Sequence, residues 1–333
     1  MKPFVDDVES FELLGADGRP VRCSRGENAG LFSLVIGGYG LFGVITEVTL
    51  RLAPRSKLRR TVEIADLKDL PERVGQRISE GFLYGDFQFK TDEKTADFLE
   101  SGVFSCYRPV PADTPIPKEQ ASISPQLWSR LYQLAHMDKS AGFREYSDYY
   151  LSTDGQIYWS DTHQMSFYVS GQDALVDQAR GSRSPGSLMI CEFYVPRHDL
   201  PEFMSRLGRT LRREEADLIY GTIRFIERDN ETFLPWARER CACIVINLRV
   251  LHDAEGIAAA TRQFQAAIDE ALDLGGSYFL TYHRWATKEQ VLKAYPQFPE
   301  FLKRKLRFDP QERFQSEWYR HYKAMFKGEL ESN

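Results

Sequence analysis

Residues 31–52, LFSLVIGGYGLFGVITEVTLRL, constrain the fold more than any other stretch. An apolar run (Leu31, Phe32, Leu34, Val35, Ile36) leads into Gly37, Gly38, Gly40 and Gly43. Glycines this close together let the backbone turn tightly and approach groups that side chains would hold away. From Val44 the residues alternate. Val44, Thr46, Val48, Leu50 and Leu52 point one way, and Glu47, Thr49 and Arg51 the other, which predicts a strand with one buried face. Here a glycine loop feeds a strand, whereas in the dinucleotide fingerprint a strand feeds the loop and a helix follows. That order weighs against a Rossmann-type site. A plain glycine-rich turn between core elements accounts for the same residues.

At 333 residues the chain is long enough for about two domains, and 42% hydrophobic with 13% aromatic residues supply sizeable cores. A net charge of −5 and the lack of a long Lys/Arg block argue against nucleic-acid binding. The one basic cluster, RSKLRR at 55–60, reads as a solvated loop. No apolar run approaches the ~20 residues of a membrane span, and MKPFVDDVES lacks the apolar centre of a secretion signal. Cys23, Cys106, Cys191, Cys241 and Cys243 are scattered, and Cys241 and Cys243 share one strand face without forming a redox pair or a zinc knuckle. The expectation is buried, reduced thiols and no metal, in a cytoplasmic protein.

In chain order, residues 8–23 read as a hairpin about Asp17-Gly18. A new unit starts at Arg59, with the strand TVEIA, a helix over about 66–80 and a strand near 82–89. Two helices are expected over 127–136 and 143–150, the first capped from the Ser-Ile-Ser-Pro run at 122–125. Residues 170–187 lack periodicity and are rich in Gly, Ser and Arg, which predicts a mobile loop. Strands follow at 188–196, 218–227 and 241–250, with helices over 200–213 and 254–273. This order predicts an α+β fold, a large antiparallel sheet with helices on one face. Near the end, Leu302, Leu306 and Phe308 mark a short amphipathic helix stopped at Asp309-Pro310.

Two separated stretches carry a family resemblance. GGYGLFGVITEVTLRL, with Asp17-Gly18 and the ENAGLF run at 27–32 ahead of it, resembles the back half of the FAD-binding domain of the vanillyl-alcohol-oxidase (PCMH) superfamily. The closing pattern SYFLTYHRWATKEQVLKAYPQFPEFLKRKLRFDPQERFQSEWYRHY resembles the end of the same flavoproteins, nearest the alditol and aldonolactone oxidases and the decaprenylphosphoryl-ribose oxidases. The likeness spans nearly the whole chain and is weak in the middle. It implies half of an FAD-binding domain over 1–57, a substrate (cap) domain over 58–285, and a segment over 286–333 that returns to the FAD domain. It implies FAD as cofactor, held by the turn with Gly38, Gly40 and Gly43 and by Val44 and Ile45. The family's glycine-rich pyrophosphate loop has no counterpart ahead of Phe4. The chain is therefore expected to lack that subdomain, as part of a split or truncated gene, as a fragment, or as a relative that has lost its cofactor.

Oxidising an alcohol on a flavin needs a hydride acceptor, a group for the hydroxyl proton and a positive charge near the flavin. Glu192 is an acid in the apolar strand CEFYVP and shares a face with Tyr194. A strand-edge carboxylate facing water explains it equally; the resemblance implies that this strand lines the substrate pocket. Arg224 stands on the otherwise apolar strand YGTIRFIE, where a salt bridge to Glu227 or Asp229 would explain it. The resemblance implies instead contact with substrate and flavin. Thr222 stands where the alditol oxidases have an acid, which speaks against a polyol substrate. The reactive cysteine of the ribose oxidases falls on Val245, so Cys243 is not its counterpart. In the run Tyr282, His283, Arg284, Trp285, the resemblance puts Tyr282 against the flavin and makes Arg284 the positive charge. His283 is a candidate for proton transfer, or else a structural donor. The expected function is FAD-dependent oxidation of a hydroxyl carbon in a small sugar-, alditol- or lactone-like substrate, with 170–187 as a lid and the electron acceptor left open. The alternatives are a flavin-less remnant that binds a ligand or partner, and an unrelated α+β binding domain.

Overall fold

The pattern of apolar runs and turns resolves, in a computed structural model that describes residues 2–162 and 171–331, into two antiparallel sheets with helices around them. The expected hairpin is strand β1 (Val8–Leu14) paired with β2 (Pro20–Ser24). The apolar run becomes helix α1 (Ala29–Val35), which buries Phe32 and Leu34. The glycine turn follows. A Cβ at Gly38 would collide with the Leu34 carbonyl, and Gly43 lies at φ 153° against the Leu14 carbonyl. Strand β3 (Val44–Leu50) then pairs with β1, giving the order β2-β1-β3. The expectation of one buried face fails here. All seven residues of β3 are exposed, Val44 at 52% and Ile45 at 47%. Alternation sets which side chains share a face, but burial needs a layer over that face, and no described residue supplies one.

The second sheet has eight strands. Strand β4 (Lys57–Asp66) leads to α2 (Leu70–Ser79), β5 (Tyr84–Phe89) and β6 (Ser101–Val110). Then come α3 (Pro125–Met137), α4 (Lys139–Leu151), β7 (Ile157–Trp159) and α5 (Gln172–Arg180). Strand β8 (Gly186–Pro196), α6 (Leu200–Arg213), β9 (Leu218–Ile226), β10 (Cys241–Leu251), α7 (Ala254–Asp273) and β11 (Ser277–Tyr278) complete it. The strand order is β11-β8-β10-β9-β5-β6-β4-β7, antiparallel throughout. Strand β6 gives no alternation to read, because it is buried on both faces from Gly102 to Tyr107.

Helices cover both faces of this sheet, which corrects the one-sided arrangement expected from the sequence. On one face, α6 buries a stripe of Leu200, Phe203, Met204, Leu207 and Leu211, with Phe203 5.7 Å from the ring of Phe193. Beside it, α7 is capped by Asp253, which accepts from Gly256 N, and presents Ala260, Phe264, Ala267 and Ile268. On the other face, α3 and α4 lie over the far half, with Tyr150 packed on Val62 and Val103. Ser124 caps α3 as expected, accepting from Leu127 N at 3.1 Å.

Two further expectations give way to local interactions. The stretch expected as a mobile loop contains α5, with left-handed Gly171 (φ 78°) and Gly181 (φ 59°) at its ends; Ser170 lies outside the described residues. Its charged residues are tied down, Arg180 to Asp217 at 2.6 Å, Arg183 to Asp253 at 2.7 Å, and Asp177 to Arg249. The basic cluster is not a solvated loop either. Arg60 sits on β4 fully buried, donating to the Tyr107 hydroxyl at 2.8 Å and to Thr153 Oγ1 at 2.9 Å. All five cysteines are buried and free.

The chain closes with α8 (Lys288–Ala294), α9 (Phe298–Phe308) and α10 (Glu317–Met325). The buried side of α9 is Phe298, Phe301, Leu302 and Lys305, whereas Phe308 is 44% exposed. This segment meets the small sheet through Phe301 on Phe42 (5.4 Å), Trp318 stacked on Tyr39 (4.2 Å) and Arg313 Nη1 donating to the Ala16 carbonyl (2.8 Å). Lys305 and Asp309 form an ion pair with both side chains fully buried. Asp309 also accepts the backbone N–H of Arg313 at 3.0 Å and of Phe314 at 2.9 Å. Removing one partner leaves a buried charge without compensation, so Asp309→Ala should cost about 3–5 kcal/mol in urea unfolding. A loss under about 1 kcal/mol would mean that the pair is solvated.

Candidate functional site

Residues opposite one another in an antiparallel sheet share a face, and neighbours along a strand alternate. Val245 on β10 lies opposite Glu192 on β8 and Thr222 on β9. Cys243 lies opposite Tyr194 and Arg224. These six therefore share one face of the large sheet. Phe193, Ile244 and Ile223 turn the other way, toward α6 and α7. Phe87 on β5 pairs with Ile223, so its neighbours Asp86 and Gln88 join the face of Glu192.

Glu192 is held from two sides. The Tyr194 hydroxyl donates to Oε2 at 2.7 Å and the Tyr282 hydroxyl donates to Oε1 at 2.8 Å. The Cys243 thiol adds a weak contact to Oε2 at 3.8 Å. Burial raises both phenols, and the carboxylate beside them raises them further, so they stay protonated donors. Burial also pushes the Cys243 thiol up, which keeps it out of thiolate chemistry. The water-facing carboxylate left open by the sequence is thus replaced by a positioned acceptor.

Arg224 is exposed on this face. Neither partner expected from the sequence reaches it. Glu227 is taken by Arg197 (2.9 Å) and Arg240 (2.8 Å), and Asp229 accepts the backbone N–H of Glu231 (2.9 Å) and of Thr232 (3.0 Å). Its charge acts on Asp86, a residue that sequence reasoning missed. The signal was there, an acid among aromatic residues in YGDFQF. Burial pushes the Asp86 carboxyl up to about 6, with Arg224 and Arg60 pulling against the rise. Gln88 Nε2 donates to Asp86 Oδ2, while Gln88 Oε1 is buried with no partner among the described residues.

Of the run 282–284, only Tyr282 reaches Glu192. His283 is buried, its ring 4.5 Å from Phe264 and 5.1 Å from Trp285, and burial lowers its pKa to about 4. It packs on α7 as a neutral core residue, apart from the proton-transfer position proposed for it. Arg284 is exposed and 3.8 Å from Glu317 on α10, so the structure does not bring it to Glu192.

Gly38, Gly40, Gly43, Val44 and Ile45 lie together at the start of β3. Gly40, at φ 68°, has open space where a Cβ would stand. Strand β3 pairs with β1 alone, and its other edge and both its faces are exposed among the described residues. Unpaired backbone groups beside exposed apolar side chains fit a cofactor that carries both phosphate and a flat ring. Among the described residues no group of His, Cys, Asp and Glu is spaced to hold a metal ion, and no described helix is long and apolar enough to cross a membrane.

Residues 182–322, the span with Glu192, Arg224 and Tyr282, match the family described as D-arabinono-1,4-lactone oxidase. The chain is 30% identical to cytokinin dehydrogenase 4 of Oryza sativa subsp. japonica over 109 residues, 30% of this chain and 17% of the relative. It is 38% identical to cytokinin dehydrogenase 10 of the same species over 63 residues, 19% of this chain and 12% of the relative. It is 31% identical to Delta(24)-sterol reductase of Pisum sativum over 111 residues, 32% of this chain and 19% of the relative. Each match thus spans about a fifth or less of the relative's own length. The lactone oxidase and cytokinin dehydrogenase families are FAD-binding flavoenzymes, and the likeness is to the FAD-binding oxidase superfamily.

The Asp86 environment has a consequence for stability. A carboxyl raised in the folded chain binds its proton more tightly there than in the unfolded chain. That contribution is complete below the ordinary aspartate pKa and is lost as pH climbs to about 6. Asp86→Asn does not titrate, so the melting temperature of the wild type should fall relative to the variant between about pH 4 and 6 and then level off. Parallel melting profiles would show that Asp86 behaves as a solvated acid.

Proposed function

We propose that the chain takes part in FAD-dependent oxidation of a hydroxyl-bearing carbon in a small molecule. Glu192 carries the reading: a carboxylate fixed by two protonated phenols, on a sheet face where Arg224 is an exposed cation, inside the span that matches a lactone oxidase family. FAD, when bound, supplies the acceptor for the two electrons that leave the substrate. The turn with Gly38, Gly40 and Gly43, together with Val44 and Ile45, would hold it. This reading goes with a cofactor part over 1–57, a substrate domain over 58–285 and a returning segment over 286–333.

The remaining roles follow from the side chains. Glu192 Oε1 and Oε2 each keep a lone pair beyond their phenol bonds, and that acceptor capacity receives the substrate hydroxyl and then its proton. Tyr194 and Tyr282 keep the carboxylate from rotating away, which is where their stabilised O–H form matters. Arg224 offers positive charge to an oxygen that gains electron density during the oxidation. Arg284, loosely paired with Glu317, is the second candidate for that charge. Thr222, beside Arg224 in the register, supplies no second acid, which favours a lactone or a single alcohol over a polyol.

The test uses the chain loaded with FAD and freed of excess by gel filtration. Turnover is followed with an artificial electron acceptor on a panel of lactones, sugars and aryl alcohols. Glu192→Gln should keep the flavin and lower turnover by about a hundredfold or more. Arg224→Met should do likewise. Unchanged turnover in both, with flavin retained, would remove them from the chemistry.

A further inference from the structure

A cleft of about 630 Å³ opens between the α3–α4 pair and the Glu192 face of the large sheet, and Arg224 lines it, so the cleft continues from the proposed site. Its helix wall is aromatic, with Trp128 and Tyr132 from α3 and Phe143 and Tyr146 from α4. Its floor mixes polar Asp86, Gln88 and Asn247 with Phe89, Leu188 and Tyr220. Gln88 is 4% exposed, and its Oε1 is an acceptor without a partner among the described residues, while its Nε2 is spent on Asp86. A buried acceptor in this state is costly unless something else donates to it.

The distances set the kind of molecule. Glu192 and Asp86 stand three strands apart along β8, β10, β9 and β5, roughly 14 Å at the usual strand spacing. A molecule reaching from one to the other is longer than a single sugar ring. Four aromatic side chains along one wall match a flat, apolar body better than a ring of hydroxyls.

We propose that this cleft receives an aromatic or fused-ring body of the substrate, with a hydrogen-bond donor on that body directed at the Asp86–Gln88 pair, while the hydroxyl carbon lies at Glu192 and Arg224. The assignment rests on the reading of the Glu192 face as the oxidation site and narrows it: the substrate is an aryl or polycyclic alcohol or its ring-bearing derivative.

The test is binding to the flavin-free full chain by titration calorimetry, because the cleft is built from residues of this chain alone. The probes are 4-(4-hydroxyphenyl)benzyl alcohol, which has a flat body, a phenolic donor and a primary alcohol, and D-arabitol, which has hydroxyls only. The biphenyl should bind at least about tenfold tighter than arabitol. Gln88→Leu should weaken it by about fivefold or more, and Ala135→Trp, which fills the cleft from α3, should abolish it. Thermal melts identify which variants are folded, and either folded variant suffices to decide. Equal affinity for the two probes, or wild-type affinity in a folded variant, would overturn the assignment. The oxidation site is scored separately. Retained flavin with turnover that depends on Glu192, but no biphenyl binding, overturns the cleft assignment alone. Biphenyl binding with turnover indifferent to Glu192 and Arg224 overturns the oxidation site and the proposal that rests on it.

Discussion

The register of β10 decides what the site contains. It pairs along its whole length with β8 and along most of it with β9, and both partners contribute site residues only because that register holds. A slip of β10 by one residue would turn Cys243 and Val245 into the layer under α6 and α7 and turn Ile244 and Ile246 out of it. Ile244 and Ile246 are fully buried, and each such burial contributes about 1.5–3 kcal/mol. The slip would forfeit both at once and would part Cys243 from Tyr194 and Arg224 on the site face. The core under the helices is therefore what selects the polar face.

Tyr282 joins that face by a different route. Strand β11 pairs with β8 through Ser277 opposite Tyr194 and Tyr278 opposite Phe193, and Phe279 N donates to the Glu192 carbonyl at 2.9 Å. Beyond it the chain is pinned from the closing segment. The Tyr295 hydroxyl donates to the Tyr278 carbonyl, and Trp318 Nε1 donates to the Leu280 carbonyl at 2.9 Å. Trp318 in turn stacks on Tyr39, next to the glycine turn. The position of one phenol at Glu192 is thus tied to the packing of residues on either side of it in sequence. The buried Lys305–Asp309 pair belongs to this arrangement, since Asp309 gathers the backbone of Arg313 and Phe314 where α9 ends. A buried ion pair is weak evidence of net stability; here its geometry fixes a turn.

The parts of this architecture that were legible in the sequence are those where local pattern and tertiary burial agree. Strands β8, β9 and β10, helices α6 and α7, the Ser124 cap and the Asp17-Gly18 hairpin all have that agreement. Strand β6 hid because burial on both faces erases alternation and its Gly, Ser and Pro residues read as loop, whereas the equally buried β10 is a run of Ile, Val and Leu. Helix α5 hid because the arginines and glycines that look like loop composition are its caps and its ion-pair partners. Strand β3 shows the converse, a clean period of two with no described layer above it. At the site, Glu192 and Arg224 stood out as charges in apolar strands, and the same rule applied to YGDFQF would have found Asp86. The links that escaped were long-range ones. Nothing local to Tyr282 says that its hydroxyl ends on Glu192, and nothing local to His283 says that Phe264 closes over it.

The sheet is least continuous where the cleft lies, at the seam between two of its strands. Strands β5 and β9 meet through one register pair, Phe87 with Ile223. Gly85 borders the seam on β5, where a Cβ would lie 2.8 Å from Cys106 Sγ, and Gly221 borders it on β9, where a Cβ would run into the Phe89 ring. A side chain at Gly221 would displace the Phe89 ring across the seam, whereas one at Gly85 would press on β6. On the cleft side the seam presents Asp86, Gln88 and Arg224 together with Tyr84, Phe89 and Tyr220. Along the join the cleft therefore meets ring surface and hydrogen-bonding groups side by side. A sheet selected for stability alone would gain from satisfying such groups with its own atoms, because an acceptor such as Gln88 Oε1, without a partner among the described residues, costs about 1–3 kcal/mol when it stays so. Among the described residues nothing donates to that acceptor, and it lies beside an exposed cation and an aromatic wall, where the proposed substrate body would sit.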